Sequence, residues 1–404
     1  MLEKILKLPN ILVKEYQKLD QETCIFVVES RIRKAICPRC GHCSHNLHQN
    51  HWHLVKDLSV SGQKTYLKVN RRQWKCQECK SPFSEELKWL KRRRRYTSRL
   101  AENILKQLAK SNIKTVCEIN GVTPAEVERM VKDIEEEVNN QPIKSVKKLG
   151  IDEIALRKGK HDYCAVLVDV EKSKLLRILR KRTKEAVEEE LRKWGIEVLE
   201  KIEEVSIDLW SGYKSVAEEL IPNANIVADR FHVMKKINEE LDAQRKKERR
   251  EINKIKNKVE KEKKIKAITN SKYVLLKNRE DLGESEKKKL KEIYDNFPKL
   301  RKMHGEKERI REIYERTNNW EEGLEEMGKW LNKVKNLFPK SRKTIINWIG
   351  EIVSYFDNRT TQGKVEGINN KIKLVKRLAY GFRNFNNFCV RVFLDWYFKT
   401  DLAY

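Results

Sequence analysis

Nowhere in the 404 residues does an apolar run approach the roughly 20 residues needed to cross a bilayer, so no membrane-spanning helix is expected. The start, "MLEKILKLPNILVKEY", lacks the long apolar core and small-residue cleavage site of a signal peptide. The expected compartment is therefore the cytosol. There the nine cysteines stay reduced, and paired spacing among them points to metal more than to disulfides. Acidic residues are in deficit: 60 Asp and Glu stand against 88 Lys and Arg, a formal charge of +28. A surplus of that size argues for a polyanionic partner, though for no particular fold. Nucleic acid fits best, because each phosphate contact releases counterions, and a basic membrane-surface protein is the competing reading. The length exceeds what one growing core accommodates, so several domains are expected.

Four of the cysteines form two CxxC pairs, Cys37/Cys40 in "CPRCG" and Cys76/Cys79 in "CQEC". Zn²⁺ takes four tetrahedral thiolate or imidazole ligands, and two such knuckles make a zinc ribbon. The gap between them is longer than in the shortest ribbons, but "LSVSGQKTYLKVNRRQWKC" alternates like two strands reaching the second knuckle. Four unconnected reduced cysteines are the plainer alternative. Cys43, His42, His45, His48, His51 and His53 crowd the same region, so the ligand set is less secure than the site. Four protein ligands leave no open position for chemistry, which makes the expected role structural.

A basic run follows at 91–95, including Arg92, Arg93, Arg94 and Arg95. Such a run is a solvated face or linker, or beside a ribbon a grip on the DNA backbone. Residues 99–138 read as helices. In "GVTPAEVERM", Thr123 suits an N-cap, Pro124 the first helical position and Glu126 the reciprocal place of a capping box. This is a helix-turn-helix pattern, whose second helix enters the major groove; three-helix patterns also occur without DNA.

From Lys148 the texture changes to strands. "KLGIDEIALRKG" and "DYCAVLVDVEKSKLLRILR" read as three strands, with turns at Lys158-Gly159-Lys160 and Glu171-Lys172-Ser173. Helix, strand, helix and strand follow through "NANIVADRF", the order of a ribonuclease-H-like α/β core. Asp152 and Asp208 lie where apolar strands would prefer no acid. Buried, unpaired carboxylates are costly, so paired acids on adjacent strands imply a cation. Two-metal phosphoryl transfer uses such a cluster, with one cation activating the nucleophile and one steadying the leaving oxygen. The third carboxylate is sought on a helix after the fifth strand. "KVEGINNKIKLVKR" offers Glu366 among basic residues, with Lys371, Lys373, Lys376 and Arg377 left to face a DNA backbone. A solvated glutamate with lysine partners is the alternative.

"GIDEIALRKG", "DYCAVLVDV", "IDLWSGY", "NANIVADRFHV" and "KVEGINNKIKLVKRLAYGFRNFNNF" resemble the DDE transposases of bacterial insertion sequences, and most of all the ISL-three family. The resemblance runs over nearly the whole chain. It implies a catalytic triad of Asp152, Asp208 and Glu366, and it matches Asp229 and His232 to the D/CxxH element near the active site of related groups. Asp229 rivals Asp208 as second metal ligand but lies one strand too late. The resemblance also makes "AYGFRN" a support for the active-site helix, with Arg383 a candidate DNA contact.

The stretch from His232 to Glu366 is far longer than one connection needs. It reads as charged helices: a solvated or coiled-coil arm, or the all-helical insertion that some DDE transposases carry. Trp320, at a turn within it, is core or a platform for an unpaired base. The expected architecture is thus multidomain α/β. A zinc ribbon occupies 1–90, a helix-turn-helix 91–145, the first part of the catalytic core 146–245, a helical insertion 246–350 and the final core helices 351–404. The expected activity is binding of terminal inverted repeats, then metal-dependent cleavage and strand transfer with two Mg²⁺ or Mn²⁺ ions and a structural Zn²⁺. Double-stranded DNA is the expected partner, at the nucleoid, with no membrane. The family's mechanism implies a homodimer or larger synaptic complex. A domesticated DNA-binding regulator with an inert core and a structure-specific nuclease are the other classes.

Overall fold

The computed structural model describes residues 2–139, 142–157, 162–359, 363–379 and 384–398. The expected turn at 158–160 and Arg383 lie outside them. The chain forms two compact units, one of residues 1–141 with 372–404, the other of 142–371.

The first unit contains a four-stranded sheet whose first hairpin the sequence reading missed. Strands β1 (Ile11–Lys18) and β2 (Thr23–Ser30) form one antiparallel hairpin, β3 (Trp52–Val60) and β4 (Gln63–Asn70) another. Parallel pairing of β2 with β4 gives the order β1-β2-β4-β3. Alternate residues Cys24, Phe26 and Val28 of β2, with Val55, Leu67 and Val69, turn to one face and bury against Leu87, Trp89 and Leu90. Strands were expected over 58–76, and β3 and β4 supply them, but their apolar alternation commits them to this sheet. The second knuckle is reached instead through Gln73–Lys75, which pairs with Leu47–Gln49 and Pro82–Ser84.

Three helices follow. α1 (Ser98–Lys110) is capped by Thr97, whose Oγ1 accepts from the Leu100 N–H at 3.3 Å. α2 (Ile113–Asn120) ends at Gly121, which takes a left-handed φ of 61°. α3 (Pro124–Asn139) starts with the expected capping box: the Thr123 N–H donates to Glu126 Oε2 at 2.8 Å, and the Glu126 N–H to Thr123 Oγ1 at 3.3 Å.

In the second unit, β5 (Lys148–Arg157), β6 (Asp162–Asp169) and β7 (Lys174–Leu179) form an antiparallel meander. Helix α4 (Lys184–Trp194) leads to β8 (Glu204–Ile207), parallel to β5, and α5 (Ser211–Leu220) to β9 (Asn225–Ala228), parallel to β8. The order is β7-β6-β5-β8-β9. Helix α6 (Arg230–Glu251) leaves directly from β9, and further helices, including α7 (Pro298–Arg316), lead to α8 (Gly363–Leu378). The expected boundary at 245/246 falls inside α6, where the buried Leu241 and Arg245 keep one helix continuous. The intervening helices are not a solvated arm: Leu290, Phe297, Leu300, Met303 and Ile313 share one continuous apolar cluster with Leu149, Val205 and Val227 of the sheet.

The segment 351–404 does not stay together. Its first part belongs to the second unit, whereas α9 (Phe385–Tyr397) joins the first. Val390 and Leu394 complete the cluster made by Leu100, Ile104, Val127 and Met130. Buried Arg391 donates to the Leu108 carbonyl at 2.9 Å and to that of Ser111. The end of α1, which has carbonyls without intrahelical partners, is closed by a residue almost three hundred positions away.

Candidate active site

Strand register places three acids together. Ile151 pairs with Ile207, and Ile207 with Ala228; all three are buried. The next residues along the strands, Asp152, Asp208 and Asp229, therefore form a row on neighbours about 4.8 Å apart. Asp208 and Asp229 follow the carboxyl ends of β8 and β9, the edge at which open α/β sheets receive ligands.

The three carboxylates differ in their partners. Asp152 Oδ1 accepts from the Glu153 N–H at 2.7 Å, and its Oδ2 accepts from Asn369 Nδ2 at 2.5 Å. Asp229 Oδ1 caps α6 by accepting from the Phe231 N–H at 3.0 Å, and Oδ2 lies 3.6 Å from His232 Nε2. The same His232 nitrogen is 3.7 Å from Asp152 Oδ1, so the imidazole sits between two members of the row. Asp208 is 9% exposed, and its Oδ1 is buried without a hydrogen-bond partner.

Burial pushes the Asp208 carboxyl up to about 6; His232 opposes this, while Glu153 and Asp152 add to it. Burial likewise pushes Asp229 up to about 6 against the α6 cap and His232, with Asp152 and Glu366 adding to the rise. For His232, burial works to lower the imidazole, but Asp152, Asp229 and Asp208 outweigh it and the net shift is upward. Glu153, beside the row, is paired with Arg182, which stacks over Tyr163 at 4.7 Å.

Glu366 lies in the first turn of α8, exposed, close enough for its charge to act on Asp229. The helix is seated by Val365 and Ile368, both buried, and by Asn369. Val365 reaches β5 where Gly150 leaves room: a Cβ there would lie 3.1 Å from Val365 Cγ2 and 2.9 Å from Val170 Cγ2. The sequence reading missed Asn369. Its signal was a polar side chain one turn from Glu366 on the same helix face.

The four thiols make a second candidate site. Cys37, Cys40, Cys76 and Cys79 hold their sulfurs within 4.8 Å of one another, with Cys37 to Cys79 at 3.6 Å and Cys40 to Cys76 at 3.5 Å. Tetrahedral Zn–S bonds of about 2.3 Å imply sulfur separations near 3.8 Å, so the tetrad fits zinc. Among the described residues it is the one group of three or more such ligands this close, and neither Cys43 nor the neighbouring histidines join it. The acid row is more open.

Of the candidate DNA contacts, Arg92, Arg93 and Arg95 are exposed. Arg94 is committed elsewhere: Nε donates to Asp133 Oδ2 at 2.7 Å and a second nitrogen holds Oδ1, tying the basic run to α3. Lys373 and Arg377 on α8 are exposed, and Lys371 and Lys376 half-buried. Trp320 is 45% exposed rather than core. No helix among the described residues is long and apolar enough to cross a membrane.

A family model described as a transposase, of the DDE class and the ISL3 group, matches residues 149–392. A model for the helix-turn-helix domain of transposase family ISL3 matches 85–135, and one for the zinc finger of IS204, IS1001, IS1096 and IS1165 transposases matches 33–79. The chain is 30% identical over 207 residues to the transposase for insertion sequence element IS1001 of Bordetella parapertussis. That similarity covers 51% of each chain, so it spans about half the length of the relative.

Proposed function

The chain belongs to the ISL3 family of transposases, and we propose that it binds the terminal inverted repeats of an insertion sequence, cuts DNA there and transfers the freed strand to target DNA. The observation that carries the reading is the Asp152–Asp208–Asp229 row with Glu366 beside it. The sheet order, with a meander followed by two parallel strands, supports a ribonuclease-H-like core, and the helices between β9 and α8 support an all-helical insertion.

The residues fit a divalent cation. Asp208 Oδ1 is a buried acceptor with no donor, and the burial that raises Asp208 and Asp229 marks carboxylates with too little compensating charge. Asp152, Asp208 and Glu366 would hold two Mg²⁺ or Mn²⁺ ions. When bound, such ions would lower the pKa of an attacking hydroxyl and stabilise the leaving oxygen. Asp229 is the weaker choice as a ligand, because its oxygens already cap α6 and face His232. Asp229 and His232 instead orient the row: the imidazole bridges Asp229 and Asp152 and limits where either carboxylate turns. The zinc ribbon would be structural, and it and the helix-turn-helix would read the DNA ends while Arg92, Arg93, Arg95, Lys373 and Arg377 hold phosphates. Two ends cut together would require a dimer or larger synaptic complex.

The test compares wild type and Glu366→Gln on DNA bearing the element's inverted repeats, with Mg²⁺. Gln keeps the shape and removes the charge, so end binding should persist while cleavage and strand transfer fall at least a hundredfold. Equal cutting by the variant would remove Glu366 from the site. Binding without cutting by the wild type would favour a regulator.

A further inference from the structure

Asn369 follows Glu366 by three residues on α8 and is only 4% exposed. Its Nδ2 donates to Asp152 Oδ2. That orientation of the amide is dictated chemically, because an ionised carboxylate only accepts. Asn369 Oδ1 is consequently turned away from Asp152, and it is buried with no hydrogen-bond partner. Asp208 Oδ1 has the same status. A buried acceptor without a donor carries a desolvation penalty that no partner repays. Two such acceptors, one in the acid row and one on a side chain bonded to that row, are what a cation relieves and what an apolar packing role leaves unexplained.

A neutral amide suits the position in both halves. A carboxylate would repel Asp152 in the absence of a cation, and a hydroxyl would be too short to reach it and still offer a second oxygen. We propose that Asn369 is part of the divalent-cation site, with Nδ2 holding Asp152 in place and Oδ1 serving as an additional oxygen ligand. This rests on the reading of the acid row as a cation site, and the two are separable by experiment.

Mn²⁺ alone is titrated calorimetrically into the zinc-loaded full chain, as wild type, Asp208→Asn, Asn369→Ala and Asn369→Asp, each checked by thermal unfolding without Mn²⁺. Asn369→Ala is expected to weaken Mn²⁺ binding about 10–100-fold. Asn369→Asp, which keeps an oxygen of the same reach, should bind within tenfold of wild type or tighter. If Asn369→Ala binds like wild type while Asp208→Asn is weakened, Asn369 is outside the site and the inference falls. If Asn369→Asp is as weak as Asn369→Ala, an oxygen of this reach does not restore binding and the assignment of Oδ1 as a ligand falls. Wild-type binding by Asp208→Asn would instead overturn the cation reading of the row itself. The mixed result, a folded Asn369→Ala whose unfolding temperature no longer rises with Mn²⁺, supports the inference, since a packing role would leave that response intact.

Discussion

Asp208 is buried at a cost that its environment does not offset, and this gives a stability signature. Its carboxyl, at about 6, lies above the ordinary 3.8, so between those values the folded state holds a proton the unfolded chain has released. Stability from this group is present at low pH, is lost as pH rises through that window, and does not return above it. Without divalent cation, Asp208→Asn should therefore be more stable than wild type at pH 7.5 by about 1–3 kcal/mol. The gain should shrink toward zero near pH 3, below both values, where Asp208 is mostly protonated in the folded and the unfolded chain alike. Denaturant unfolding of both proteins at the two pH values measures it; an equal gain at both would refute burial as the cause. Asp152 and Asp208 stand out in the sequence, because one is an acid within an apolar strand and the other an acid directly after one. The place of Asp229 in their row is not, since it follows from strand register, which one chain's letters do not encode. The sequence places Asn369 on the face of Glu366, but its contact with Asp152 depends on where α8 docks.

At the scale of elements, the seat of α8 on β5 is set by a missing side chain. Val365 occupies the space that Gly150 leaves open, two residues before Asp152 and one before Glu366. Gly150→Ala should force the helix or Val170 to shift, lowering stability by about 1–3 kcal/mol. Because a displacement near 1 Å at reacting groups costs about a hundredfold in rate, cleavage should fall much further than the unfolding temperature suggests. Cleavage assays beside thermal unfolding test this, and unchanged cutting would show that α8 is not positioned through Gly150. The start of α3 offers a simpler test: Thr123→Ala removes one half of the capping box and should cost about 1 kcal/mol by denaturant unfolding. That box was readable from four residues, since capping is local chemistry. The β1–β2 hairpin was not read from the sequence: β2 carries the apolar run "CIFVV", but β1 is mostly exposed and its polar residues hide the pairing.

At the scale of the molecule, the first unit is discontinuous. A fragment of residues 1–141 lacks α9, and with it Val390, Arg391 and Leu394, so the apolar face of α1 and α3 is uncovered and the Leu108 and Ser111 carbonyls lose their donor. Such a fragment should unfold at a lower temperature than one with 384–398 fused after a flexible linker, and it should bind a dye for exposed apolar surface. Equal unfolding temperatures would show that α9 is dispensable to the unit. The sequence gives no hint of this return, because "FNNFCVRVFLDWY" reads as a plain amphipathic helix and its partner is chosen in three dimensions. The same discontinuity sets a schedule on the ribosome. Everything in 142–371 is translated before α9 exists, and at about 5–20 residues per second that is a wait of roughly 10–50 s. Throughout that interval the nascent helix-turn-helix has a gap in its core, so a chain arrested before α9 carries no finished first unit, and the completed unit becomes available only when the acid row has already been made.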